Sequence, residues 1–152
     1  TGGIPVPQRS PQRQKYRLDE IKRWSEFLNI KTNIKPKFFP PKDPHLPAKF
    51  TIAANLLGTK IVFGHEILKQ LWSEEKDISD EKNIELVSDS FKINFKELST
   101  LAKSERVTTI YANNTKEAVE KNVFGAPTYI FNDELFWGQD RLEFLERALK
   151  NA

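Results

Sequence analysis

The sequence contains no cysteine, no methionine and only two histidines, His45 and His65. Without cysteine, these residues can form no disulfide, no thiolate zinc site, no Cys-x-x-Cys redox pair and no cysteine nucleophile. Two histidines are too few for a metal site built on histidine, so we predict no metal.

Long hydrophobic runs are also absent. No apolar segment approaches the roughly 20 residues that span a bilayer, and no hydrophobic core of a signal peptide is present. The motifs GxGxxG, GxxxxGK and HExxH and the EF-hand loop do not occur. The chain has 152 residues, of which 38% are hydrophobic and 11% aromatic. We therefore expect a soluble globular protein of one domain, or of one domain and part of a second.

The net charge of +3 hides an uneven distribution. Residues 1–50 hold eleven Lys and Arg against four Asp and Glu, a balance of +7, so residues 51–152 carry −4. This basic first third suggests an anionic ligand or an acidic partner, although a solvated lysine-rich surface is the simpler explanation. The basic part lacks the interleaved aromatic residues and glycine-rich arms of nucleic-acid modules, so no nucleic-acid binding is predicted.

Proline and apolar spacing divide the chain into three parts. Residues 1–15 are rich in proline and are predicted to be an extended arm. Residues 16–121 show helical spacing of apolar residues and are predicted to form a helical domain, interrupted by a proline-rich loop over 34–47. Residues 122–152 are predicted to form a β-hairpin, with strands over 128–131 and 134–137, and a closing helix that begins at Asp140. In that helix a capping box joins Asp140 and Glu143, and Leu142, Leu145, Ala148 and Leu149 are predicted to face inward.

Small residues precede a proline just before the first predicted strand. Ala126-Pro127 is a candidate cis peptide bond, because cis proline is a specific local feature of such turns. In that geometry the N–H and C=O groups of Ala126 can pair with an extended, peptide-like ligand. The alternative is an ordinary proline that begins a strand.

The end of the second strand reads Trp137-Gly138-Gln139-Asp140-Arg141. Backbone amides at the start of a helix favour a carboxylate, and the Asp140 carboxylate can hold an ammonium group. Together they match the head group of an α-amino acid. The alternative is that Asp140 only caps the helix.

These two motifs resemble the C-terminal part of the 2-hydroxychromene-2-carboxylate isomerases and kappa-class glutathione transferases, a branch of the disulfide-oxidoreductase-like thioredoxin superfamily. The resemblance is sharpest in three segments: Ala112–Val119, Val123–Thr128 and Glu134–Leu142. It extends more loosely to Trp72–Ser79 and Pro11–Trp24. The resemblance implies an α/β, thioredoxin-like fold of the kappa class, in which the helical part is an insertion domain.

The resemblance also implies glutathione as cofactor. Ala126 beside Pro127 would pair with the cysteinyl backbone of glutathione. The γ-glutamyl end would be lined by the residues that follow the second strand: Trp137, Gly138, Gln139 and Asp140. Arg13 would bind the anionic substrate, an aromatic-derived carboxylate. A homodimer in the cytoplasm, or in the mitochondrial matrix of a eukaryote, is expected, with no membrane partner.

The family's catalytic serine lies in an N-terminal strand-helix-strand unit, and no serine here occupies that position. Ser10 lies in the arm and Ser25 on a helix. We therefore assign no catalytic residue and expect the 152-residue chain alone to show no thiol-dependent turnover. The function predicted is a glutathione-dependent isomerase or transferase. The alternative is a non-catalytic thioredoxin-like subunit for binding or assembly that has lost its nucleophile-bearing unit.

Overall fold

The computed structural model describes residues 4–152. Seven α-helices and one β-hairpin account for most of these residues, and a single 3₁₀ turn, Val6–Gln8, precedes them. Their bounds in chain order are α1 (Pro11–Phe27), α2 (His45–Leu56), α3 (Val62–Trp72), α4 (Glu81–Ser90), α5 (Phe95–Ala102), α6 (Glu105–Glu120), β1 (Thr128–Phe131), β2 (Glu134–Trp137) and α7 (Leu142–Lys150).

The chain forms two compact units, and the boundary between them falls within α6. The larger, residues 9–112, is called the helical unit here. The smaller comprises residues 113–152 together with residues 4–8, and is called the hairpin unit. The domain boundaries 1–15, 16–121 and 122–152 stay a prediction.

The core of the helical unit is built from the inner faces of α2 to α6. In it α2 packs on α3 and α5, and α4 packs on the same two helices. Aromatic pairs occupy the contacts, with Phe50 stacked on Phe95 at 5.9 Å and Phe63 against Phe91 at 5.5 Å between ring centroids. The buried apolar side chains are Phe50, Ala53, Ala54, Phe63, Ile67, Leu71, Ile78, Ile84, Val87, Leu98, Ala102 and Val107.

Helices α4 and α5 each begin after a residue whose side chain caps the first turn. The Asp80 carboxylate accepts the Lys82 N–H at 3.0 Å, and the Asn94 side chain accepts the Glu97 N–H at 3.1 Å. Aspartate and asparagine are among the residue types favoured at this position. They satisfy amide groups that have no partner inside the helix.

The predicted extended arm is wrong in its last part, because α1 begins at Pro11 and not at Tyr16. The Ser10 hydroxyl accepts the Arg13 N–H, and proline is well suited to the first helical position because its missing N–H would have no partner there. The first three residues of the predicted arm lie outside the described residues.

The hairpin has the predicted strands and turn. Thr128 pairs with Trp137 and Phe131 with Glu134 in an antiparallel register. Asn132 and Asp133 both have positive φ, of 49° and 61°, as a two-residue type I′ turn requires. Within residues 4–152 these two strands form the whole sheet.

Helix α7 packs on both strands of the hairpin. Leu145 and Ala148 are half-buried there, as predicted. Leu142 and Leu149, which we expected to face inward, are exposed, because the two-stranded sheet covers only one narrow stripe of the helix. Phe144 is likewise 56% exposed.

Candidate functional site

The segment between α6 and β1 brings the first predicted motif to the end of the hairpin. The Ala126-Pro127 peptide bond is cis, as predicted. The Thr128 hydroxyl donates to the Gly125 carbonyl oxygen at 2.6 Å and closes the turn around this bond. The Gly138 N–H donates to the Pro127 carbonyl at 2.9 Å and holds the turn against the end of β2.

The main chain of Ala126 differs from that of its two neighbours in its hydrogen bonding. The carbonyl groups of Gly125 and Pro127 both accept hydrogen bonds. Within residues 4–152, neither the N–H nor the C=O of Ala126 forms one, and the residue is exposed. A backbone donor and an acceptor on one exposed residue are the groups with which an extended peptide pairs.

The lack of a side chain at Gly125 leaves space for the Trp137 ring beside this backbone. A Cβ at Gly125 would lie 2.5 Å from the Trp137 indole nitrogen, closer than real Cβ atoms approach other heavy atoms. Trp137 in turn contacts Phe124 edge-on, with 4.8 Å between ring centroids, and half of its surface remains exposed. Glycine at 125 therefore leaves room for the half-exposed indole against the residue that precedes Ala126.

Gly138 makes the sharp turn that places the next residues. Its φ is +116°, a conformation that side chains disfavour, and the residue is buried. A Cβ there would meet the Asp140 carboxylate. Gln139 and Asp140, both exposed, follow within a 3₁₀ turn, Gln139–Arg141.

Asp140 is not the cap of the closing helix, so the predicted capping box with Glu143 is wrong. Helix α7 begins at Leu142, and its capping position is Arg141, which makes no side-chain cap bond. The 3₁₀ turn separates Asp140 from the first amides of α7. The carboxylate instead pairs with the Arg141 guanidinium at 2.8 Å, and both side chains are about half exposed.

A cleft of about 430 Å³ adjoins this site and shares Trp137 and Arg141 with it. Its other lining residues are Phe124, Glu134, Leu135, Phe136 and Phe144. Carboxylate, guanidinium and exposed aromatic rings thus occur together, which suits a ligand with both charged and apolar parts.

Six of the seven site residues predicted from the sequence lie together in the hairpin unit: Ala126, Pro127, Trp137, Gly138, Gln139 and Asp140. The seventh, Arg13, is exposed on α1 in the helical unit, and its role stays a prediction. Sequence reasoning gave no role to Gly125 and Arg141. Both lie within the motifs that carry the resemblance, but the close approach of Trp137 to Gly125 is a tertiary contact that the motif alone does not reveal.

No group of three His, Asp or Glu side chains positioned to hold a metal occurs in the part of the chain that the structure describes. Within residues 4–152, no helix has both the length and the apolar character needed to cross a membrane.

One unit of the chain carries a cis-proline turn that leads into a hairpin and a closing helix, and the other unit is helical. The chain matches the family model of the DSBA-like thioredoxin domain over residues 1–150 and belongs to that family. The predicted thioredoxin-like α/β fold class is confirmed.

Within this family the chain is similar to proteins named 2-hydroxychromene-2-carboxylate isomerase. It is 26% identical to the one from Pseudomonas sp. (strain C18) over 133 residues, which are 88% of this chain and 61% of that protein. It is 28% identical to that of Pseudomonas putida over 142 residues, covering 89% and 66% of the two chains. The relative from Sphingobium xenophagum is 29% identical over 135 residues, covering 89% and 67%.

A solved structure of 2-hydroxychromene-2-carboxylate isomerase has the same fold. It superposes with a TM-score of 0.78 at 24% sequence identity, over 99% of this chain and 71% of that one. The predicted resemblance to this group is confirmed. The chain spans about two thirds of the length of these relatives.

Proposed function

We propose that this protein takes part in a glutathione-dependent isomerisation of a hydrophobic, aromatic-derived carboxylate. The observation that carries the proposal is the exposed main chain of Ala126, whose N–H and C=O have no partner within residues 4–152. Glutathione is an extended peptide and offers a matching acceptor and donor. The names of the relatives support the reaction class and the substrate class.

The residues after β2 suit the other end of the same ligand. The amino-acid head of the γ-glutamyl group carries an ammonium group, for which the Asp140 carboxylate is a partner, and a carboxylate, for which the Arg141 guanidinium is one. Gly138 leaves the space beside the Asp140 carboxylate that a Cβ would fill. The Trp137 ring would lie against the apolar stem. When bound, glutathione would supply a thiol for reversible addition to the unsaturated substrate.

A second candidate is a non-catalytic binding or assembly module. The exposed apolar side chains of the hairpin unit favour it, because exposed patches of this kind mark interaction surfaces. They include Phe124, Trp137, Leu142, Phe144 and Leu149. The homodimer and the cytoplasmic location implied by the resemblance also remain proposals.

Turnover distinguishes the two candidates. The intact protein is assayed by absorbance with 2-hydroxychromene-2-carboxylate and glutathione, and in parallel with S-methylglutathione, which retains the peptide and lacks the thiol. We expect turnover with glutathione and none above background with the methylated peptide. Equal rates with both peptides would refute thiol dependence, and no turnover with either would favour the binding module.

A further inference from the structure

Arg17 lies against two aromatic rings in the helical unit. Its guanidinium carbon is 5.3 Å from the ring centroid of Phe39 and 5.8 Å from that of Trp72. The two rings contact each other with centroids 4.9 Å apart at an angle of 44°. Such contacts attract a cation to the face of the ring and restrict where the guanidinium can point.

The two rings belong to segments that are tied to the rest of the helical unit. The Lys37 N–H, two residues before Phe39, donates to the Glu75 carboxylate at 3.3 Å. The Trp72 carbonyl accepts the Asn33 N–H at 2.7 Å. The segments that carry the two rings are therefore each held to another part of the helical unit by a hydrogen bond.

Arg17 has no carboxylate partner among the residues that the structure describes. Within residues 4–152 its guanidinium forms no ion pair and no hydrogen bond. The acidic residues of its own helix pair with other cations: Asp19 with Lys15, Glu20 with Arg23 and Glu26 with Lys22. Partial burial, and after it the positive charge of Arg9, lower the pKa of Arg17 below its ordinary value. The charge is thus partly desolvated and still uncompensated.

We propose that Arg17, supported by Phe39 and Trp72, binds the carboxylate of a planar aromatic ligand. A guanidinium presents paired N–H donors that match the two oxygens of a carboxylate. The Phe39 ring is 38% exposed and offers apolar surface to the body of the ligand. This aromatic wall favours an aromatic carboxylate over the aliphatic carboxylates of glutathione. The choice of ligand class rests on the proposed function, whereas the site rests on the contacts of Arg17.

The test is a calorimetric titration of the full chain without glutathione. The probes are chromone-2-carboxylate, its carboxamide and, as a separate arm, glutathione. The variants are Arg17→Gln and Arg17→Lys, with Arg13→Gln to examine the role predicted for Arg13. Arg23→Gln is the matched control, because Arg23 also lies over a ring, that of Tyr16 at 5.7 Å, but is paired with Glu20.

We expect the wild type to bind the carboxylate at least tenfold more tightly than the carboxamide, as a charged hydrogen-bonded pair does. Arg17→Gln should abolish this preference, Arg17→Lys should weaken it several-fold, and Arg23→Gln should preserve it. If Arg17→Gln does not fold, Arg17→Lys decides, since it keeps the charge and the stem.

Equal affinity of wild type and both Arg17 variants for the carboxylate would overturn the proposal, as would loss of binding in Arg13→Gln alone. Tighter binding of glutathione than of chromone-2-carboxylate at Arg17 would also overturn it, because Arg17 would then bind a different class of ligand. These results are independent of turnover. Two cases therefore give different outcomes. In one, the protein is an isomerase and Arg17 does not bind the substrate; in the other, Arg17 binds a carboxylate and the protein has no isomerase activity.

Discussion

At the scale of single residues, Gly138 determines the local geometry of the candidate glutathione site. Its positive φ turns the chain after Trp137, its N–H bonds to Pro127, and its missing Cβ leaves room for the Asp140 carboxylate. The positive φ and the close Asp140 carboxylate each disfavour a side chain, and the hydrogen bond needs an N–H, so glycine here serves both the backbone and the site.

Replacing Gly138 with alanine should therefore affect both stability and binding. We expect Gly138→Ala to destabilise the protein by about 1–2 kcal/mol, the cost of a side chain at positive φ, and to weaken glutathione binding by displacing Asp140. Urea unfolding and calorimetry measure the two effects.

Gly58→Ala is the matched control for this prediction. Gly58 has a φ of +95°, and nothing lies within 4 Å of the position of its Cβ. It should show a similar loss of stability with unchanged glutathione affinity. Unchanged affinity in Gly138→Ala as well would contradict the assignment of Asp140 to the site.

At the scale of elements, the hairpin depends on its turn. Asn132 and Asp133 adopt positive φ, which asparagine and aspartate tolerate and β-branched residues do not. Asn132→Val should lower the free energy of unfolding by about 1–2 kcal/mol. Urea denaturation measures it.

The control for the turn is Asn113→Val, because Asn113 is exposed within helix α6 of the same unit. Asparagine and valine have similar helix propensities, so this change should alter stability by only a few tenths of a kcal/mol. Equal effects of the two substitutions would show that the turn is not the source of the cost.

Helix starts and strands were predictable from the sequence where interactions between neighbouring residues determine them. Short apolar, β-type runs on both sides of Asn132-Asp133 specify the hairpin, and Asp80 and Asn94 reach the first turns of their own helices. Asp140 looks like the same kind of cap in sequence. It is not one, because the turn at Gly138 introduces a 3₁₀ segment that no local pattern announces.

The helix start at Pro11 was missed for a related reason. The spacing of proline in the first residues indicates an extended chain, yet proline at the first helical position is compatible with a helix once Ser10 caps it. The proline content of the whole segment therefore did not reveal the start of α1, which depends on the cap at Ser10.

At the scale of the whole molecule, apolar burial is concentrated in the helical unit. Among residues 4–152, the buried apolar side chains cluster there, and Phe136 is the one that lies in the hairpin unit. The hairpin unit instead exposes aromatic and aliphatic side chains around the candidate site. This contrast explains why the helical core was readable from apolar spacing, whereas the inward face of α7 was only half right.

The site was predictable to the same limited extent. The motifs placed Ala126, Pro127 and the residues after β2, because these are close in sequence or joined by the hairpin. The aromatic support of Arg17 escaped sequence reasoning, since Phe39 and Trp72 come from a loop and a helix far along the chain.

Glutathione binding by Asp140 tests the central claim most directly. Calorimetric titration of the wild type is compared with Asp140→Asn and with Glu143→Gln, which removes an exposed carboxylate three residues further on. We predict that Asp140→Asn loses about 1.5–3 kcal/mol of binding free energy, the contribution of a charged hydrogen bond, while Glu143→Gln binds as the wild type does. Equal affinities of all three proteins, or no binding by the wild type, would contradict the glutathione site.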